Sequence, residues 1–497
     1  MPTRIKRPAQ PPAPKPPHPV IAAVKGSRWL YVLVAVLVLA PCYWQPHIQA
    51  GDLSSHIYNA WLAQLIAKGQ LPGLRIAVQT TNVLFDLMLA GLFGALGPDW
   101  AQRIAASLAA LVFISGAFAW ARAVSGRMPW QILPSIAILA YGWVFHMGFF
   151  NFYLSLGLAF WALALAWEPN PRRLAAAAAI LAIAYVAHAL PVVWAIGLAA
   201  YKLVAERLPH RMRGYLLGGV LLAMVVAHLI VAGRMASNWS ARQITLISGL
   251  DQVWVFDNKY YLLMMVLLLF WVMLFLNLVR SSDARTVLAS MPFQLSLISA
   301  AAVFMVPTAI MFPGYRHGLV YIAERMSLAV GICACALLAS ARPRRFEVAA
   351  MTGIAVLFFA FLYRDERVLN SFEDNMRSTL AGLPAGQRAI SAIDDPGLRV
   401  NALAHAIDRA CIGRCFSYAN YEPSTAQFRI RADGPNPYVA GSYQDSWLMQ
   451  VGMYVVEEHD LPLYQVDVDA NGQMMLRTLR AGVACGSTKW NVLGNLL

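Results

Sequence analysis

The sequence predicts an all-α polytopic membrane protein with a small α/β domain at its C-terminal end. Composition is the first observation: of 497 residues, 59% are hydrophobic and only 13% charged, against about half and about a quarter in soluble domains. Charge placement is the second. The formal charge of +14 comes largely from Lys and Arg crowded into short loops between apolar runs, the pattern of loops held on the cytoplasmic side. The third is the last stretch, residues 364–497, where 12 Lys/Arg face 15 Asp/Glu. So balanced a tail resembles a folded exported domain. A disordered chain, a coiled coil and an ordinary cytosolic enzyme are excluded, and the partners implied are membrane lipids, not nucleic acid.

Residues 1–28 carry Arg4, Lys6, Arg7, Lys15, Lys25 and Arg28, no acid, and a Pro cluster. Proline fixes φ and removes a donor, so this arm is expected to be extended and cytoplasmic. An uncleaved first span, Trp29–Trp44, leads outward. In windows of about 20 residues, ten further spans lie near 101–121, 130–147, 152–167, 174–190, 191–205, 214–233, 259–279, 287–311, 318–340 and 346–363. The apolar run Val83–Leu96 is too short to cross comfortably and reads as a helix lying in the outer interface or dipping partway in. With eleven spans, Arg122/Arg127, Arg172/Arg173, Arg207/Arg211/Arg213, Arg280/Arg285 and Arg342/Arg344/Arg345 all fall on the inner side. A twelfth would put them all outside, so eleven is the better count. The transmembrane domain is then 29–363, with a first outer loop at 46–100. The N-terminus is cytoplasmic and the C-terminus extracytoplasmic, as in a multi-pass protein of a bacterial inner (plasma) membrane.

In the exported domain, a helix-compatible stretch runs from about Ser371 to Arg409. Leu463–Asp469 and Gln473–Leu479 flank Asn471-Gly472, a hairpin-turn dipeptide. Cys411, Cys415 and Cys485 are the disulfide candidates: Cys485 with either of the others, or a Cys411–Cys415 link, or free thiols. No zinc pattern is completed.

The first outer loop is the most informative segment. From Gly51 onward, Leu53, Ile57, Trp61 and Leu65 recur every four residues, which predicts a helix lying on the bilayer with Asp52, His56 and Asn59 on its other side. Lys68-Gly69-Gln70-Leu71-Pro72-Gly73 stops it. Asp52 could equally serve as an N-cap and His56 as a polar residue without chemistry. An acid just beyond the first span, a short surface helix with a polar face, then G-x-x-P, resembles the first outer loop of GT-C glycosyltransferases. These polytopic enzymes transfer a sugar from a polyprenyl-phosphate carrier. The likeness extends to the layout of the whole chain, though its motif is confined to roughly 51–73. It implies that Asp52 is the catalytic acid/base. Many members carry a second acid beside the first, where this chain has Leu53 and Ser54. A divalent cation is thus possible but unsupported by a second first-loop acid, no metal ligand is assigned, and His56 is the candidate helper.

The resemblance also implies a cation for the departing carrier phosphate. Arg316 and His317 precede the tenth span, and Glu324-Arg325 lies just inside it. Ionisable groups in a span cost about 2.5–3.5 kcal/mol each and usually face a wet cavity, and arginine forks onto phosphate oxygens. The alternatives are that Glu324 and Arg325 neutralise each other or that Arg325 snorkels to the interface. His146, Asn151, His188 and His228 also sit at outer ends of spans. With Asn59, Asn151 and His188 could line the carrier groove. No Walker A, dinucleotide, HExxH or G-x-S-x-G motif occurs. The function expected is transfer of a sugar from a polyprenyl-phosphate carrier to a glycan, lipid or protein acceptor at the extracytoplasmic face. A flippase for lipid-linked glycans, or a non-catalytic scaffold, is the alternative.

Overall fold

The computed structural model describes residues 28–313, 318–425, 427–469 and 471–495; the Pro-rich tail, Arg316 and His317 lie outside them. Helices dominate: α1 (Arg28–Leu39), α2 (Gly51–Ala67), α3 (Leu84–Ser125), α4 (Leu133–Ala140), α5 (Trp143–Met147), α6 (Phe150–Ala166), α7 (Pro171–Ala187) and α8 (Ala189–Arg207) come first. They are followed by α9 (His210–Arg234), α10 (Asn258–Ser282), α11 (Ala284–Leu288), α12 (Met291–Met305), α13 (Ile322–Leu338) and α14 (Arg345–Leu380). Five of these, α3, α8, α9, α10 and α14, are long and apolar enough to cross a membrane. The other expected spans hold shorter helices. One is broken: 130–147 divides into α4 and α5 at Tyr141-Gly142, where a Cβ on Gly142 would lie 2.7 Å from the Gln252 carbonyl oxygen. Another stops early, because Pro307 holds Val306 extended (φ −81°, ψ 144°) and the chain continues as a strand.

The bundle packs through small residues. Gly116 of α3 and Gly157 of α6 touch backbone to backbone; a Cβ on Gly116 would sit 2.3 Å from the Gly157 oxygen. Such glycine contacts bring apolar helices close enough for dispersion to hold them. Conversely, α9 buries none of its residues. Its Leu222, Val226, Leu229 and Ile230 form an exposed apolar face of the kind lipid covers.

Within α3, Gly97 (φ 78°, ψ 174°) precedes Pro98 and turns the chain, so the 84–96 arm is a separate short helix, as its length suggested. A different expectation fails nearby. α2 does not lie on a bilayer with one face free: Leu53, Ser54, Ser55, Ile57, Tyr58, Asn59 and Leu62 are all buried. Protein covers both faces, because α3 packs on one side and the C-terminal domain on the other.

That domain begins where α14 ends. The helix expected over 371–409 ends at Leu380, since Pro384 and Gly386 (φ 79°) follow. In its place come β5 (Arg388–Ser391), β6 (Ile393–Asp394) and only then α15 (Ala406–Cys411). After β7 (Phe416–Ser417), α16 (Glu422–Thr425), β8 (Ile430–Ala432) and α17 (Tyr443–Gln450), the hairpin β9 (Leu463–Val468) and β10 (Met474–Thr478) forms around Asn471-Gly472 as expected. The sheet order is β10-β9-β5-β7, with β5 parallel to both β9 and β7. Cys411 and Cys415 are bonded to each other, and Cys485 is a buried free thiol.

Two features tie the domain to the rest. β1 (Leu74–Ile76) of the first outer loop pairs antiparallel with β8. A polar stripe on α14 holds the segment before α2: Glu366 accepts from Trp44 Nε1 at 2.5 Å, Asn370 accepts from the His47 amide at 2.8 Å, and Glu373 accepts from Gln49 Nε2 at 3.1 Å. Buried polar groups so matched fix one register and exclude others.

Candidate active site

The N-terminus of α2 abuts the turn between α5 and α6. Gly148 closes that turn at φ +84°, and a Cβ there would stand 2.6 Å from the Asp52 nitrogen and 2.7 Å from that of Leu53. Only glycine fits so near, in a conformation that other residues adopt at a cost. Ala50, not Asp52, occupies the N-cap position. The Asp52 carboxylate is free of that duty and faces a cavity of about 1140 Å³ between the helical bundle and the C-terminal domain.

His56, one turn along, lines the same cavity. Its Nδ1 lies 2.6 Å from Asp86 Oδ1, and the second Asp86 oxygen accepts from Asn151 Nδ2 at 2.7 Å. Asn151 is held in turn by the Phe85 amide, which donates to its Oδ1 at 2.8 Å. Every atom of this chain is assigned, leaving His56 Nε2 for the cavity. Burial disfavours the imidazolium, but the Asp86 carboxylate outweighs it, with Glu422 and Asp52 adding to the effect, and the pKa is raised to about 9.

His188 lines the same cavity. It caps α8, its Nδ1 accepting from the Leu190 amide at 3.2 Å, so that Nε2 carries the proton. Arg325 lies flat on the Phe149 ring, 3.7 Å from the centroid, with its Nε buried and unpartnered. Glu324 and Arg325, considered as a mutually neutralising pair, feel each other's charge but do not meet directly. Among the described residues no ion pair within 4.0 Å joins them, and Glu324 Oε2 is also without a partner.

The C-terminal domain supplies the rest. His405 Nδ1 is 3.0 Å from Asp408 Oδ2, and its Nε2 is 3.8 Å from Asp52 Oδ1. Glu422 is 6% exposed and lines the cavity beside Tyr421, Phe428 and Arg431. Burial is the main cause that raises its pKa to about 8; His56 opposes this, and the carboxylates of Asp86 and Asp52 reinforce it. Asp52, its side chain 27% exposed, and Glu422, buried in the wall, thus meet the cavity in different surroundings.

Of the residues singled out in the sequence, Asp52, His56, Asn151, His188 and Arg325 converge on this cavity, although Asn151 acts through Asp86. Asn59 does not contribute to the lining. Two turns below Asp52, it donates to Ser55 Oγ and accepts from Asn420 Nδ2 at 2.9 Å, tying α2 to the C-terminal domain. His146 and His228 are also elsewhere, bonded to the Gln49 and Met305 carbonyls. Asp86, His405 and Glu422 escaped sequence reasoning. Asp86 left a usable signal as the lone acid in an apolar run; the His405-x-x-Asp408 spacing was a fainter one. Among the described residues no group of three or more His, Cys, Asp or Glu side chains is placed to hold a metal ion.

No protein-family model, curated protein or solved structure matches the chain.

Proposed function

We propose that the chain is an integral-membrane glycosyltransferase of GT-C type, with eleven spans and its active site at the extracytoplasmic end. It moves a sugar from a polyprenyl-phosphate carrier to an acceptor. The observation that carries this reading is the joint placement of the Asp52 carboxylate and the Arg325 guanidinium on the wall of one large cavity. Its volume is at or above the upper end of the usual range for ligand sites, about 300–1,000 Å³, which suits a substrate pair better than a single small molecule.

In the reaction, an acceptor oxygen attacks the anomeric carbon as the bond from that carbon to the carrier phosphate oxygen breaks. Asp52 takes the acceptor proton, a contribution of roughly 10²–10⁴-fold. The electron pair leaves with the phosphate, whose growing charge Arg325, the His188 N–H and the His56 imidazolium stabilise. Phe312, Leu319, Val320 and Tyr321 line the cavity on one side, and Phe312 and Tyr321 are about two-fifths exposed, giving the isoprenoid an apolar approach. A flippase would instead place its charges at mid-depth, and their gathering at one end of the bundle supports transfer.

The test is Asp52→Asn in the full chain. It should abolish transfer of labelled sugar from polyprenyl-phosphate donors extracted from the expressing membranes, with expression and insertion intact. Undiminished transfer would remove Asp52 from the mechanism, and a wild-type chain that neither transfers sugar nor co-purifies with a polyprenyl phosphate would remove the reaction itself.

A further inference from the structure

His405 lies about 350 residues from Asp52 in the chain, yet the two share the cavity wall. Its imidazole is 9% exposed and stands between two carboxylates, Asp408 Oδ2 at 3.0 Å from Nδ1 and Asp52 Oδ1 at 3.8 Å from Nε2. Asp408 cannot drift, because Oδ1 accepts a short hydrogen bond from Ser417 Oγ, and the Ser417 amide donates to the Tyr58 hydroxyl of α2 at 2.9 Å. The ring of Tyr421 packs at 5.6 Å from the imidazole. Among the described residues, Asp52 makes no hydrogen bond through its carboxylate; the imidazole is its one partner at ion-pair distance.

We propose that His405, braced by Asp408, is the positioning residue of the site: it pairs with one oxygen of Asp52 and leaves the other free for the acceptor proton. This deepens the transfer reading and rests on it for its purpose, though not for its geometry. It makes the C-terminal domain part of the active site. The groups that face His405 are Asp408 on its own helix, Asp52 on α2, and Glu422 on α16. Burial works against the cation, but Asp408, then Asp52 and Glu422, outweigh it and raise the pKa above the ordinary histidine value. Removing Asp408 should therefore bring the titration of His405 down, since the opposite charge that most favours its protonated form is lost.

Two measurements on the full chain in detergent test this. The first reads His405 directly, as the rate of its acylation by diethyl pyrocarbonate against pH, followed by peptide mass spectrometry, since only the neutral ring reacts. The expected midpoint lies above the ordinary histidine value and falls in Asp408→Asn and in Asp52→Asn. A midpoint for His405 that both substitutions leave unmoved overturns the proposal, whether or not the chain transfers sugar. The second is the pH profile of transfer. His405→Gln should lower the rate on the order of 100-fold, as a misplaced reacting group does, and Asp408→Asn should move the alkaline limb to lower pH. His405→Lys, which keeps the charge, should recover part of the loss. Equal loss in the Gln and Lys variants with an unshifted limb for Asp408→Asn would mean a packing role only, and would also overturn it.

Discussion

Gly148→Ala separates the position of Asp52 from its chemistry. An added Cβ would stand 2.6 Å from the Asp52 nitrogen, where ordinary contact begins near 3.4 Å, so the start of α2 or the α5–α6 turn must give by the difference, 0.8 Å. A displacement of about 1 Å at a reacting group can cost about 100-fold in rate. The stability cost has two parts, about 1–2 kcal/mol for a side chain in the left-handed region and about 1–3 kcal/mol for the overlap. Gly126 isolates the first. It closes α3 at φ +66° with nothing within 4 Å of its would-be Cβ, so Gly126→Ala meets the backbone term alone. The assay is transfer rate beside thermal unfolding in detergent for both variants. The expected result is a small stability loss and near-normal transfer for Gly126→Ala, with a larger loss and transfer down by about two orders of magnitude for Gly148→Ala. If the two variants match in both readouts, the Gly148 backbone does not set the place of Asp52.

Stability should fall as pH rises from about 6.5 to about 9. His56 has a raised folded pKa, so its contribution is complete below the unfolded value near 6.5 and is lost as pH climbs through about 9. Glu422, raised to about 8, works in the same sense, because the folded chain keeps a proton there that the unfolded chain gives up at lower pH. Asp86→Asn and Glu422→Gln should each flatten the curve, by a few kcal/mol at most, in thermal unfolding at pH 6.5 and 9; a curve identical to wild type in both would contradict the assigned ionisations. For topology, Ser281→Cys and Gly434→Cys, both at exposed positions, should react with a membrane-impermeant maleimide from opposite sides of sealed vesicles. The native cysteines are buried or disulfide-bonded, so the added thiols report alone, and labelling from one side would refute the eleven-span count.

What was legible in the sequence was local. The four-residue recurrence from Leu53 to Leu65, with a Gly/Pro stop, placed α2 within a residue of its observed end at Ala67, and Asn471-Gly472 located the β9–β10 hairpin. The polar face of the first-loop helix, with polar residues in or beside apolar spans, pointed to five members of the cavity wall, because few such side chains survive in apolar segments without a reason. Contacts between distant stretches were not legible. Nothing in residues 51–73 announces that β8 will pair with β1, and so nothing brought His405 or Glu422 to Asp52. The same gap explains the misreading of α2 as a surface helix: its apolar stripe was visible, but the C-terminal domain that covers its polar side was not. Asn59 suffered likewise, its partner Asn420 lying far along the chain.

α14 runs 36 residues without interruption from an apolar N-terminal half to the start of the C-terminal domain, a rod about 54 Å long. A stiff beam of that length transmits tilt. Glu373 on this rod contacts Arg409 at 3.1 Å, on the short helix that bears Asp408, so a tilt of the rod would reach that helix and the cavity wall it helps to form.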